Sequence, residues 1–136
     1  MEPGLTATHL KIQPGESVLV KGRVLPDAKG FSVNLGEDSQ NLVLHFNPRF
    51  DCHGDMNLIV CNSKHEGVWG EEQRYSVFPF QHGEKAGITI TFDTVELKVN
   101  LSNDQEIFFP NRQGLEMIRY LSVDGDFKIK VLKFFS

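Results

Sequence analysis

The chain has 136 residues but only two cysteines, Cys52 and Cys61. That leaves no disulfide framework, and a reducing compartment during folding is the expectation. No apolar run is long enough to cross a bilayer as a helix, so no membrane insertion is expected. The opening residues, MEPGLTATHLKIQPGES, hold no charged-then-apolar leader, which makes the cytosol the expected address. Positive charge is also scarce. Fourteen Lys and Arg against eighteen Asp and Glu leave a net charge of -4. Phosphate-driven nucleic-acid binding needs a basic face, so nucleic acid is not an expected partner. Lys128, Lys130 and Lys133 alternate with apolar residues and read as the solvated face of a strand. With no repeat, linker or low-complexity tract, one domain spanning 1–136 is expected.

What fills the chain instead is short runs rich in Val, Ile, Phe and Thr, broken by Gly, Asp, Asn and Pro. They are SVLVKGRV (17–24), GFSVNLG (30–36), NLVLHFN (41–47), NLIVCNS (57–63), YSVFPF (75–80), GITITFD (87–93), VELKVNL (95–101), QEIFFP (105–110) and FKIKVLKFF (127–135). In GITITFD, Ile88, Ile90 and Phe92 share one face and Thr89, Thr91 and Asp93 the other. Such strands, with a turn signal about every ten residues, predict an all-β sandwich or barrel. LEMIRYL (115–121) fits a helical turn or a strand, and its pattern does not separate them.

One stretch concentrates chemistry: HFNPRFDCHGD, residues 45–55. Period two sends Leu42, Leu44 and Phe46 into a core and His45, Asn47 and Arg49 to the opposite face. Pro48 has no amide hydrogen, so strand pairing should loosen or end there. In the next strand, a register that turns Ile59 and Cys61 inward places Val60 and Asn62 beside the His45–Asn47–Arg49 row. Beyond it, a loop carries the only tryptophan, Trp69, followed by Glu72 and Arg74 two residues apart.

The collected face therefore combines one flat ring with planar groups that make several directed hydrogen bonds. Sugars call for this mixture. The axial 4-hydroxyl of β-galactose leaves a continuous C–H patch on one face, fit to lie on an indole, while the hydroxyl points toward donors and acceptors. Arg49, Glu72 and Arg74 alternate in sign and can hold one another's rotamers, which lowers the ordering cost of binding.

Other chemistries fit less well. His45, Cys52, His53 and Asp55 include metal-ligand types, but their spacing matches no paired Cys or His motif, and no metal or other cofactor is expected. Cys52 and His53 are adjacent on the chain and diverge if extended, which is poor geometry for a nucleophilic dyad. Cys61 reads as a buried small hydrophobe. A glycosidase would need two carboxylates flanking the scissile bond, one of them holding its proton. Glu71 and Glu72 are adjacent, and arginines near Glu72 favour its ionised form. Binding without catalysis is thus expected, with a glycan-processing enzyme or a protein-binding β-sandwich as the alternatives.

HFNPRF, VCNS and WGEEQR resemble the signature blocks of the galectins, metal-independent β-galactoside-binding lectins. PGESVLVKG, FPF, FPNR and GDFKIK also look like galectin segments, so the resemblance covers nearly the whole chain. It implies a jelly-roll β-sandwich of two antiparallel sheets, of the concanavalin-like kind, and makes LEMIRYL a strand. It implies that His45, Asn47 and Arg49 take the galactose 4-hydroxyl, that Asn62 and Glu72 take the 6-hydroxyl, and that Trp69 stacks on the sugar. Arg49, Glu72 and Arg74 would reach the second sugar, with His53 and Asp55 at the edge of the site. The closest likeness is to single-domain galectins that form homodimers through their terminal strands. Export without a signal peptide, to glycans outside the cell, is a further implication. Outside, the free thiols would be open to oxidation, Cys52 first because it lies nearest the binding strand.

Affinity supports the need for more than one site. A disaccharide of about 23 heavy atoms at roughly 0.3 kcal/mol each reaches ~7 kcal/mol, a dissociation constant on the order of 10 µM. Two linked sites would gain avidity. LTATHLKI (5–12) and FKIKVLKFFS (127–136) read as apolar-rich edge strands, and an exposed patch drawn from Leu5, Ile12, Val131 and Phe135 would suit a dimer.

Overall fold

The computed structural model describes residues 4–136. Twelve strands run in chain order: β1 (Leu5–Ala7), β2 (Ser17–Val24), β3 (Phe31–Asp38), β4 (Asn41–Cys52), β5 (Asp55–His65), β6 (Val68–Trp69), β7 (Gln73–Tyr75), β8 (Lys85–Phe92), β9 (Glu96–Asn100), β10 (Glu106–Pro110), β11 (Tyr120–Gly125) and β12 (Phe127–Phe135). Every pairing is antiparallel. One sheet has the order β1-β11-β3-β4-β5-β6, with β7 also on β5, and the other has β10-β9-β8-β2-β12. The result is the jelly-roll sandwich, closed by the inward rows of both sheets. Val33, Leu44, Phe46, Ile59 and Cys61 from the first meet Val20, Ile88, Ile90, Leu97 and Val99 from the second, all essentially fully buried. The alternation in β8 holds, with Ile88, Ile90 and Phe92 buried and Thr89 and Thr91 turned outward.

Pro48 does half of what its chemistry predicts. β4 runs through it against β5, where Pro48 sits opposite Ile59. Against β3 the regular ladder stops at Phe46, opposite Val33. The Phe31 carbonyl instead accepts a hydrogen bond from the Asn47 side-chain amide at 2.7 Å. Beyond the proline, the Phe50 and Asp51 amides both donate to the Lys29 carbonyl. The missing donor is thus offset by a side chain that the site also uses.

Three segments differ from expectation. YSVFPF contributes only Tyr75 to a strand. The rest is an irregular segment pinned by edge-to-face rings, Phe78 on Phe50 at 4.9 Å and Phe80 on Phe31 at 5.5 Å. Pro79 cannot donate to a ladder, and the aromatic residues bury themselves without one. LEMIRYL is also mostly irregular. Only Ile118 forms a bridge, to Ile12, and the strand begins at Tyr120. β11 was not among the expected strands although Leu121 and Val123 alternate with Ser122 and Asp124; in the structure Ser122 is buried with its neighbours. At the N-terminus the strand is Leu5–Ala7, and Ile12 lies in the core rather than on a surface patch.

Candidate carbohydrate-binding site

The outer face of the seven-stranded sheet carries the row that period two predicts. β4 and β5 pair with His45 opposite Asn62, Asn47 opposite Val60 and Arg49 opposite Leu58, while β7 sets Arg74 opposite Val60. β4 and β5 join at Cys52 and Asp55 through His53 and Gly54, both at positive φ (53° and 81°). That is the conformation of a two-residue hairpin turn that matches strand twist. The turn returns the chain so that Asp55 stands beside Arg49. His45, Asn47, Arg49, His53, Asn62, Trp69 and Glu72 line an open cleft of about 550 Å³.

Charge is organised as a closed cycle. Arg49 Nη1 donates to Asp55 Oδ2 at 2.7 Å, and Arg74 Nη1 to Asp55 Oδ1 at 2.7 Å. Arg74 Nη2 donates to Glu72 Oε1 at 2.9 Å, and Glu72 Oε2 lies 3.7 Å from Arg49 Nη2. Hydrogen bonds from Arg74 and Arg49 hold the Asp55 carboxyl below its ordinary pKa, and the same carboxylates raise that of Arg74. The expected mutual restraint of Arg49, Glu72 and Arg74 is present, and Asp55 closes it. Arg49, 8% exposed, also donates from Nε to Asn47 Oδ1 at 2.9 Å. Buried guanidinium groups need such partners. Glu72 is thus held between two guanidinium groups.

His45 is organised oppositely. Its Nδ1 lies 2.6 Å from Asn34 Oδ1. The Asn34 amide nitrogen faces Ser122 Oγ at 3.0 Å and Asp124 Oδ2 at 3.3 Å, both acceptors here, so its oxygen must face the imidazole. His45 therefore donates from Nδ1, and Nε2 carries a lone pair. Burial, with help from Arg49 and Lys64, lowers the His45 pKa to about 4. The ring is neutral at pH 7, an acceptor set among donors.

Trp69, on β6 opposite Lys64, is 47% exposed. Its ring lies 4.7 Å from the His45 ring, and Lys64 Nζ stands 4.8 Å from it. Trp69 is exposed as expected, but on a two-residue strand and not in a loop. Asn62 donates to the Gly70 carbonyl at 3.0 Å, and its oxygen accepts from the Ser63 amide at 2.8 Å. Gly70 lets this contact form closely: a Cβ there would stand 2.9 Å from Ser63 Oγ and 3.0 Å from Arg112 Nη1, and those side chains would have to shift. His53 is exposed at the turn tip and borders the cleft.

Two supporting residues were missed from sequence. Asn34 lies on β3, where only its register opposite His45 reveals it. Arg112 donates to Ser63 Oγ at 3.1 Å and stacks on Phe109 at 4.7 Å. The FPNR block was its only signal. Among the described residues, no three His, Cys, Asp or Glu side chains gather in a way that could hold a metal. Cys61 is fully buried and its thiol is pushed up to about 12, while desolvation also raises half-buried Cys52. Both thiols are thus poor in thiolate.

Comparison with known proteins converges with this geometry. Residues 3–134 match the family model described as galactoside-binding lectin. The 16 kDa beta-galactoside-binding lectin of Gallus gallus is 61% identical over 98% of this chain and 99% of its own. Galectin-1 of Sus scrofa is 55% identical over the same shares. Among solved structures, CG-16, a homodimeric agglutinin from chicken liver, superposes with a TM-score of 0.94 at 61% identity, covering 97% of this chain and 99% of that one. Toad ovary galectin in complex with thio-digalactose gives 0.95 at 43% identity, covering 98% and 99%.

The state of His45 sets a pH dependence. The unfolded chain protonates this imidazole near 6.5 and the folded chain near 4, so the folded state loses stability as pH falls between those values. Sugar affinity should stay level from pH 8 to about 5 and fall through about 4, as Nε2 gains a proton. Lactose titration calorimetry across that range checks this, and a midpoint near 6.5 would refute the buried, neutral His45.

Proposed function

The chain belongs to the galactoside-binding lectins, the galectin family, and on that premise we propose that this cleft binds β-galactosides such as lactose and N-acetyllactosamine without changing them. The observation that carries this reading is an exposed indole beside a row that offers one neutral acceptor among fixed donors. A sugar hydroxyl both donates and accepts. The axial 4-hydroxyl of galactose donates to His45 Nε2 and accepts from Asn47 and Arg49, while the C–H face lies on Trp69. Asn62 and Glu72 serve the 6-hydroxyl, and Arg49, Glu72 and Arg74 reach the second sugar. His53 borders the ligand, and Asp55 acts mainly by holding both arginines.

The protein should bind immobilised lactose in the presence of chelator and elute with free lactose, releasing no glucose. Trp69→Ala should weaken lactose binding by roughly tenfold, the loss of about 1 kcal/mol or more of aromatic contact. Passage through the column unretained in chelator would remove this reading, and glucose release would favour an enzyme.

We infer further that the protein is a homodimer that cross-links glycans through its terminal strands. β1 and β12 are both sheet edges. Phe134 lies opposite Val18, on the inward face of β12, yet is 47% exposed. Val131 and Phe135 are exposed on the same strand, while Leu5 is half-buried. An inward-facing phenylalanine without cover is a core residue awaiting a partner. Phe134→Ser removes about 2 kcal/mol of burial per copy, and a twofold axis applies it twice. Sedimentation should show a dimer shifted toward monomer by this change, with agglutination lost and affinity per site retained. An unmodified protein that stays monomeric at micromolar concentration would refute the dimer.

We also propose that the chain folds in the cytosol and acts on glycans outside the cell. Two unpaired cysteines support a reducing site of folding, and the ligand supports the extracellular site of action. Antibody staining of unpermeabilised expressing cells should detect the protein and lose it on washing with lactose. Retention of all protein inside the cells would contradict this.

A further inference from the structure

The outer face of the five-stranded sheet lies across the sandwich from the galactoside cleft. It carries a groove of about 870 Å³ walled by Lys21, Arg23, Lys85 and Lys130, with Asp104 the one carboxylate in its lining among the described residues. On a chain of net charge -4, this is a concentration of the minority sign. Lys128 stands directly opposite Arg23, and Arg23 directly opposite Lys85, so three cations form a row across β12, β2 and β8. All three are exposed. Like charges directly opposite one another on a sheet destabilise it. Among the described residues, neither this row nor Lys21 or Lys130 makes an ion pair. Arg23 is instead braced by donation from Nη1 to the Gly83 carbonyl at 2.6 Å.

We propose that this groove binds a linear sulfated polysaccharide, whose regularly spaced anions supply the countercharge that the Lys128–Arg23–Lys85 row lacks. The row crosses three strands, a span of about 10 Å at the usual strand spacing, so a single small anion cannot serve all of it. In the same lining, Thr89, Asn100 and Ser102 offer hydroxyl and amide groups of the kind that pair with sugar hydroxyls. No aromatic side chain lines the groove. Single-stranded nucleic acid, which binds by stacking on such rings, is therefore a worse match. Because the two sites lie on opposite faces, both can be filled at once.

Heparin is the probe, used with saturating lactose at low ionic strength. The protein should be retained on a heparin column and released by salt. The triple variant Arg23→Ser/Lys85→Ser/Lys128→Ser should bind heparin about tenfold more weakly or worse, with a salt slope smaller by roughly one for each cation removed. Its lactose affinity should equal that of the parent, which also reports that it is folded. Lys98→Ser, which removes a cation already paired with Glu106 at 3.7 Å, should change heparin retention little. Failure to bind heparin, displacement from it by lactose, or equal retention of the triple variant would each overturn the proposal. Cosedimentation with phosphatidylserine vesicles without heparin binding would also overturn it, in favour of a membrane surface.

Discussion

The cycle Arg49–Asp55–Arg74–Glu72 is the constraint around which the sugar-binding face is arranged. Each member comes from a different turn of the path: the end of β4, the hairpin return into β5, the loop after β6, and β7. A guanidinium as buried as that of Arg49 is tolerable only when its hydrogens are met. Asn47 and Asp55 meet them, and in doing so fix its plane. The hairpin at His53–Gly54 is therefore not only a connection. Its two positive φ angles are the local condition for bringing Asp55 back to Arg49.

Across the same face, His45 answers a different physical demand. An array of cations alone would suit an anion, whereas a hydroxyl needs an acceptor as well as donors. Asn34 creates that acceptor by accepting a hydrogen bond from Nδ1–H, and burial keeps it by holding the imidazole neutral. Glu72 lies between Arg49 and Arg74, so both guanidinium groups orient its carboxylate. The result is a preorganised polar face that recognises hydroxyl direction.

Strands whose two faces differ were legible in the sequence. β2 and β12 span the expected residues, β4 and β5 extend the expected runs at their ends, and β8 begins two residues earlier and ends one earlier than expected. The row His45, Asn47, Arg49 and its neighbours followed from period two and one correct register. The illegible parts share a cause. Ser122 is polar yet buried because it meets Asn34, and Asn34 itself shows no sign of its role until β3 is laid beside β4. Asp55 was placed at the edge of the site for the same reason. Its importance rests on contact with Arg74, nineteen positions away. YSVFPF misled in the other direction, since burial of aromatic residues against the core needs no ladder. Patterns within one segment report its faces, while partners brought from elsewhere remain invisible.

The openness of the cleft then bears on assembly. A site built from preorganised polar groups under one exposed ring loses little by ordering, but it also buries little of its ligand. Its affinity for a disaccharide is bounded at the micromolar scale, and deepening the pocket would sacrifice access to galactose carried within longer glycans. Strength has to come from number instead. The sandwich makes that inexpensive, because its terminal strands β1 and β12 lie at sheet edges remote from the β4–β5–β7 face. Phe134, inward by register yet uncovered, lies on one of these edges. In the proposed dimer, the edge that would otherwise be an aggregation hazard is where a second copy would add avidity without altering either site.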